Sequence, residues 1–425
     1  MKIELNHLAR MEGHANLVVD AVDGAIKECR LDVVESPRFF EEILKGRHYS
    51  DVAPIAARIC GVCSVSHTLA SLAATEHALG VAVSDQTRGL RQLLSHGENM
   101  QSHLLHLFFM AAPDYLGVSS LTELARDRRE LVSRALRLKK TANDLVRVVG
   151  GRAVHPVTTC VGGFSVLPGA AELQEVRRNL VAALADLEET VALFADFDLL
   201  WMGRETEYIC LRTEQAYPGL DGDLFSSEGV SCPVARFQTM ISEYHQPHSN
   251  AKFARATREN FMVGPLARYK NAGEHLSSMA KKVAEALGLK RTSVNPFEAN
   301  YARLVEVVHY LESSVHLIDD LLLKGLKLES VWVPPVAGKG VAAVEAPRGL
   351  LFHSYVYDEN GRIESADCVI PTAQNLGNIE ADLHHLAPSL LHLPRAEMTR
   401  HLEMLVRAYD PCISCSTHLM KVDFV

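Results

Sequence analysis

The amino-acid sequence predicts an α+β protein, mainly α, in which a central bundle of long helices carries small β-sheets formed by the N-terminal and C-terminal segments. Three observations predict it. Apolar residues recur at three- and four-residue steps through the middle of the chain. Short β-like runs punctuated by Asp-Gly and Asn-Gly occur near both ends. A length of 425 residues, 48% of them hydrophobic, supplies ample apolar surface for a large core.

Residues 3–5, 15–21 and 25–34 have β character, with Asp23-Gly24 as a hairpin signal between the last two, so 1–35 is expected to be an N-terminal β region. Leu90, Leu93, Leu94, Met100, Leu104, Leu107 and Phe108 trace a long helix. Leu131, Leu136, Leu138, Leu145 and Val148 trace a second, which stops at Gly150-Gly151. A third starts after Pro168-Gly169 and runs through Leu180, Leu184, Leu187 and Val191 to Phe194, and the same periodicity predicts helices over 300–325 and 378–408. Between 330 and 371 a β-hairpin region is expected. Val331-Trp332-Val333 and Leu350–Tyr357 read as strands there, and Asn360-Gly361 closes a hairpin into Ile363–Ile370. There is no internal repeat, low-complexity stretch or long linker. About 150 residues per domain would suggest three domains. Two motifs that must meet argue instead for one interdigitated unit over 1–425.

A formal charge of −9 gives no support to nucleic-acid binding. The basic stretch Arg126–Arg129 continues helically through Arg134, Arg137, Lys139 and Lys140 and reads as a solvated face. The start, Met1–His7, lacks the three regions of a signal peptide. The most apolar run, Leu104–Ala112, contains His106 and is too short to span a bilayer. A cytoplasmic chain with no membrane span is therefore expected. In that reducing compartment nine cysteines do not imply a disulfide framework. Cys29, Cys160, Cys210, Cys232 and Cys368 are scattered singly and are expected to be small buried apolar residues.

The other four form two Cys-x-x-Cys pairs, Cys60/Cys63 and Cys412/Cys415, 349 residues apart. Helix starts favour thiolates, and both pairs are expected at or near them. Four readings are open. A zinc ribbon usually keeps its pairs about 15–20 residues apart, a thioredoxin-type pair follows a strand in a βαβ context, and c-type haem needs His directly after the second Cys, where Ser64 and Ser416 stand. The fourth is a buried catalytic metal, since thiolates bind soft and borderline metals.

Arg58 precedes the first pair, Asp410-Pro411 the second, and His67 and His418 follow them. With these residues the chain resembles the large, catalytic subunit of [NiFe] hydrogenases, whose signatures RxCGxC and DPCxxCxxH are both met in full. The resemblance is collinear. It continues through Arg10-Met11-Glu12-Gly13-His14, Arg38-Phe39-Phe40-Glu41, Gly162-Gly163, Val263–Arg268, Glu345–Gly349 and Pro371–Asn375. It implies that family's fold and the reversible heterolytic cleavage of dihydrogen, which needs an acceptor for hydride and a base for the proton.

Residue by residue, the resemblance implies nickel on all four thiolates, with Cys60 and Cys412 terminal. Cys63 and Cys415 bridge to an iron that carries carbon monoxide and cyanide. Glu12 matches the proton-relay glutamate. Arg348, after Pro347, is placed over the open face of the metals, with Asp410 as its partner. Pro371 and Thr372 line the iron, the threonine hydroxyl donating to a cyanide nitrogen, and His67 is expected to hydrogen-bond a cysteine sulfur. Glu41, the carbonyl of Cys368 and His418 are expected to hold Mg2+ (or Fe2+), an ion that suits oxygen ligands and water.

Residues 419–425 resemble a tail that a maturation protease removes after a nickel chaperone has loaded the metal. The short tail and the blocks 407–416 and 345–349 resemble the cytosolic, nicotinamide-linked branch, the sulfhydrogenases. Ser102 stands where several respiratory members carry aspartate. With no cysteine set left for a cluster, electrons are expected to leave through an iron–sulfur small subunit, then on to diaphorase-type NAD(P)/flavin subunits. A deazaflavin-reducing or heterodisulfide-linked complex, and a metal-free structural homologue, are the alternatives.

Overall fold

Three helices packed side by side carry the periodicity read from the sequence. In this computed structural model, which describes residues 2–5, 8–22, 25–118, 121–329 and 332–417, the helix Asp85–Leu105 lies between Arg129–Gly150 and Ala299–Lys324. Ser84 starts the first of these, its hydroxyl accepting from the Thr87 N–H. Gly151, at φ 76°, closes the second, as the Gly-Gly signal predicted. The first helix does not end at Leu105. It widens into a π-helical turn, His106–Ala111, before the short helix Ala112–Tyr115, a local geometry that recurs at functional sites.

Two predicted helices are each two. The third breaks at Ala183 into Ala170–Ala182 and Leu184–Ala195. Their buried residues, Leu173, Val176, Leu180 and then Leu187, Thr190, Phe194, keep one helical spacing across the break. The span 378–408 is Pro371–Leu390 followed by Arg395–Tyr409. Pro394 caps the second, and its ring disfavours helical geometry at Leu393. Pro371 occupies the first turn of the earlier helix, where a missing N–H costs nothing.

The N-terminal sheet is an antiparallel meander of Lys2–Leu5, Ala15–Val22 and Ala25–Val33. Its Asp23-Gly24 turn lies outside the described residues. The C-terminal sheet runs Gly338–Ala346, Gly349–Tyr357 and Ile363–Val369, all antiparallel. Its first strand was not anticipated, whereas the expected strand at 331–333 is absent: Trp332 and Val333 are irregular and Val331 lies outside the described residues. A further four-stranded sheet, built from Glu207–Arg212, Asp223–Ser226, Ser231–Cys232 and Phe261–Met262, stands mid-chain, where no sheet was expected. Strands this short show no usable alternation.

The helix Ser64–Leu79 also escaped sequence reading. Nearly every residue in it is buried, so it has no polar face to set a period. It carries the C-terminal sheet on its back. Gly340 permits the contact, because a Cβ there would sit 1.9 Å from the Ala74 carbonyl oxygen. Of the five single cysteines, Cys210 and Cys368 are buried, but Cys29, Cys160 and Cys232 are only partly covered. Among the described residues no helix is long and apolar enough to cross a membrane.

Candidate metal centre

Cys60 follows the turn Ala57–Ile59 in extended conformation, and Cys63 is the residue on which the helix Ser64–Leu79 starts. Cys412 likewise precedes the short helix Ile413–Ser416. The first pair thus ends at a helix start and the second straddles one, so both lie at or near helix starts, as expected. Asp410, left-handed at φ 54°, ends the helix Arg395–Tyr409 and turns the chain into the second pair.

Segments near the N-terminus hold the two pairs together. Glu12 forms a parallel bridge with Cys412, and its carbonyl accepts from the Ile413 N–H at 3.0 Å. Arg38 Nη2 donates both to the Ile59 carbonyl, beside the first pair, and to the Ser414 carbonyl, inside the second. The Arg38 N–H donates to the Thr417 carbonyl at 2.8 Å.

All four sulfurs lie within 4.8 Å of one another. Cys60 and Cys412 are 3.6 Å apart, Cys63 and Cys415 3.4 Å, and Cys412 and Cys415 3.0 Å. Each is buried. Hydrogen bonds from Cys412, Cys415 and Cys63 draw the Cys60 thiol well below its ordinary value, while burial holds Cys415 well above it. Four buried sulfurs cannot all ionise unless a cation joins them. Four soft donors in one cluster fit nickel and iron, in keeping with the resemblance; zinc would also accept such a set.

A small cavity of ≈ 10 Å3 opens on Cys63, Cys412 and Cys415, walled by His67, Pro347, Arg348, Pro371 and Thr372. Arg348 donates from Nε to the Asp410 carbonyl at 2.7 Å and from Nη2 to its Oδ1 at 3.0 Å, as expected of this pair. His106 Nδ1 lies 3.1 Å from the same carboxylate. Burial opposes the Asp410 charge, but Arg348, His106 and Arg303 outweigh it and hold the carboxyl well below the usual range. Glu12 Oε2 accepts from Cys412 Sγ at 3.1 Å and from the Ser414 N–H at 3.0 Å. Thr372 Oγ1 accepts from the Cys412 N–H at 2.8 Å, which leaves its own hydrogen to donate.

His67 Nε2 is 3.8 Å from Cys415 Sγ, and its Nδ1 is 3.1 Å from His353 Nε2. His353 in turn hydrogen-bonds Tyr355. Neither His353 nor Tyr355 was picked out from the sequence, although strand alternation puts both on one face. Glu98 was missed too. It accepts from the N–H groups of Val65 and Ser66 at 2.6 and 2.8 Å, at the start of the helix after Cys63, and burial pushes its carboxyl up to about 8. Glu41, buried, accepts from the Cys368 N–H at 3.0 Å, so these two are together. His418 lies outside the described residues.

A profile of the family described as nickel-dependent hydrogenase matches residues 38–133 and 227–418. The alpha chain of sulfhydrogenase 1 from Pyrococcus furiosus is 34% identical over 99% of both chains. An F420-non-reducing hydrogenase polypeptide of Methanothermobacter thermautotrophicus is 32% identical over 98% of this chain and 95% of that one. The beta chain of the NAD-reducing hydrogenase HoxS of Cupriavidus necator is 26% identical over 99% and 95%. Among solved structures, an NAD+-reducing [NiFe]-hydrogenase in the H2-reduced state superposes with a TM-score of 0.88 at 26% identity, over 98% of this chain and 99% of that one. With its sulfur cluster assembled from both ends of the sequence, the chain belongs to the nickel-dependent hydrogenase family, as a large subunit.

Proposed function

We propose that this hydrogenase subunit cleaves dihydrogen reversibly and heterolytically beside Cys60, Cys63, Cys412 and Cys415, and that the electrons pass through an iron–sulfur small subunit, then through diaphorase-type subunits, to NAD(P)+. One observation carries the reading. Thiols 349 residues apart in sequence share one buried cluster that faces a fixed cation and a carboxylate.

A nickel–iron pair, its iron carrying carbon monoxide and cyanide, would supply the electron-pair acceptor that polarises dihydrogen. Cys60 and Cys412 are assigned as terminal ligands, and Cys63 and Cys415 as bridges. Each H2 yields two protons and two electrons, so a proton must leave the sulfur side. Glu12, 3.1 Å from Cys412 Sγ, is in reach to take it. Arg348 offsets the anionic cluster. Its Nη1 is buried without a partner among the described residues and so has a donor to spare. Asp410 holds that guanidinium, Pro347 restrains its backbone, and Thr372, beside Pro371, offers its hydroxyl hydrogen. His67 steadies Cys415. Glu41, the Cys368 carbonyl and His418 are proposed to bind Mg2+ (or Fe2+) near the C-terminal motif, with residues 419–425 removed during maturation by a protease after a nickel chaperone has acted.

NAD(P)+ as acceptor draws support from the NAD-reducing relatives, and a cytoplasmic location is proposed from the likeness of blocks 345–349 and 407–416 to the nicotinamide-linked branch. The F420-non-reducing relatives favour a second reading, a different acceptor reached through other partners. Purification with native partners, metal counts and an acceptor screen under hydrogen test both. One nickel per chain with hydrogen-dependent NAD(P)+ reduction is expected. Zinc alone would overturn the catalytic assignment, and activity only with other acceptors would favour the second reading.

A further inference from the structure

We infer that Arg268 is a positioning residue for Arg348, acting through the peptide backbone that presents it to the metal cavity. The inference rests on the proposed role of Arg348 and adds a residue to that site.

Ala346 pairs with Gly349 at the end of the C-terminal hairpin, so Pro347 and Arg348 are the two residues of its turn. Arg268, on the helix Pro265–Ala272, is completely buried beside that tip. All five of its N–H groups are used. Nε and Nη2 form a fork to Glu306 Oε1 and Oε2, both at 2.6 Å. Nη1 donates to Glu345 Oε2 and to the Ala346 carbonyl, both at 2.9 Å, and Nη2 reaches the Pro347 carbonyl at 3.5 Å. The last two acceptors are the carbonyls immediately before Arg348. Rotating the 347–348 peptide would swing the Arg348 side chain off Asp410, and Arg268 opposes that rotation.

The grip is anchored at its other end. Glu306 also accepts from Tyr217 Oη at 2.7 Å, and His103 Nε2 lies 2.8 Å from its second oxygen. The start of the same helix closes over the turn. Gly264 has φ 107°, and a Cβ there would sit 2.8 Å from the Arg348 carbonyl oxygen. The blocks Val263–Arg268 and Glu345–Gly349, far apart in sequence, are therefore one clamp. Lysine would keep the charge but has no planar fork to hold a carboxylate and two carbonyls at once.

The test uses the complex with its native partner subunits and the variants Arg268→Lys, Arg348→Lys and the double. Arg268→Lys is expected to load nickel and iron like the parent. Its kcat should fall roughly tenfold at nearly unchanged KM for hydrogen, and amide exchange at Ala346, Arg348 and Gly349 should be roughly tenfold faster, as suits loss of charge-assisted hydrogen bonds. The double variant should be no slower than Arg348→Lys alone, because both changes act through one side chain. Multiplying losses, or unaltered exchange at 346–349, would overturn the inference. If Arg268→Lys does not fold, Glu345→Gln weakens the same clamp and takes the same measurements. Full activity of Arg348→Lys would instead remove the role proposed for Arg348, while amide exchange would still report whether Arg268 holds the turn.

Discussion

The sulfur cluster and the Arg268–Glu306 pair are both deeply buried, yet they settle their charges in opposite ways. Arg268 and Glu306 match donor for acceptor: Arg268 donates to both oxygens, Tyr217 to Oε1, and His103 closes the set at Oε2. Such a pair is complete as it stands. The four thiols crowd within 4.8 Å and offer one another only weak S–H donors, and Arg348 alongside them shares its single charge with Asp410. A buried group that cannot balance itself is waiting for a ligand, whereas one that does is scaffolding.

The contrast predicts where each region fails. The largest effect is expected for Cys415→Ser, which puts a hard hydroxyl into a soft set. Nickel should fall to trace amounts and hydrogen uptake to background, as elemental analysis and a dye-reduction assay would report. A fully loaded, active variant would show that the cluster needs no fourth thiol. Glu12→Gln comes next. Metal content should match the parent while turnover drops by roughly 10²–10⁴, the usual worth of a positioned proton acceptor. Unchanged turnover would take Glu12 out of the proton route.

Glu306→Gln should do the reverse, sparing the donor set and costing stability. Leaving Arg268 without its fork is expected to cost about 3–5 kcal/mol, read from the denaturant midpoint. Burial opposes the Glu306 charge, but Arg268 and His103 outweigh it and hold the carboxyl well below its ordinary value. Its contribution is therefore present above that ordinary value and lost as pH falls below it, so the variant should lose less stability on acidification than the parent. A midpoint equal to the parent's would show that the pair is energetically idle.

A last effect, at Glu98, has the opposite sign. Burial raises its carboxyl from 4.5 to about 8. Its contribution is thus complete below 4.5 and lost as pH rises through 8. Glu98→Gln should flatten the decline in thermal midpoint over that window. An unaltered pH profile would mean that the carboxylate meets no net penalty beside the helix start.

Residues that declare themselves by type and spacing were legible. The fold brings the two cysteine pairs into one cluster, Glu12 against Cys412, Arg348 against Asp410, and Glu41 against the Cys368 N–H. The helix Arg129–Gly150 was legible because it shows one face to solvent, and Asp85–Leu105 and Ala299–Lys324, though largely buried, because their large apolar residues keep three- and four-residue steps. The helix Ser64–Leu79 was not, since burial on every side erases the period. Nor were the strands of two to six residues around 207–262, or the breaks at Ala183 and Pro394, where packing overrides a continuing apolar pattern.

The chain alone thus determined the donor chemistry, the family likeness and the helical core, because side-chain identity and hydrophobic period are local properties. Only the folded molecule decided which distant groups became neighbours. Arg38 reaching both cysteine motifs, His67 meeting His353, and Arg268 gripping the turn before Arg348 all depend on long-range packing. No spacing in the sequence encodes such contacts, because they exist only after elements hundreds of residues apart have closed on one another.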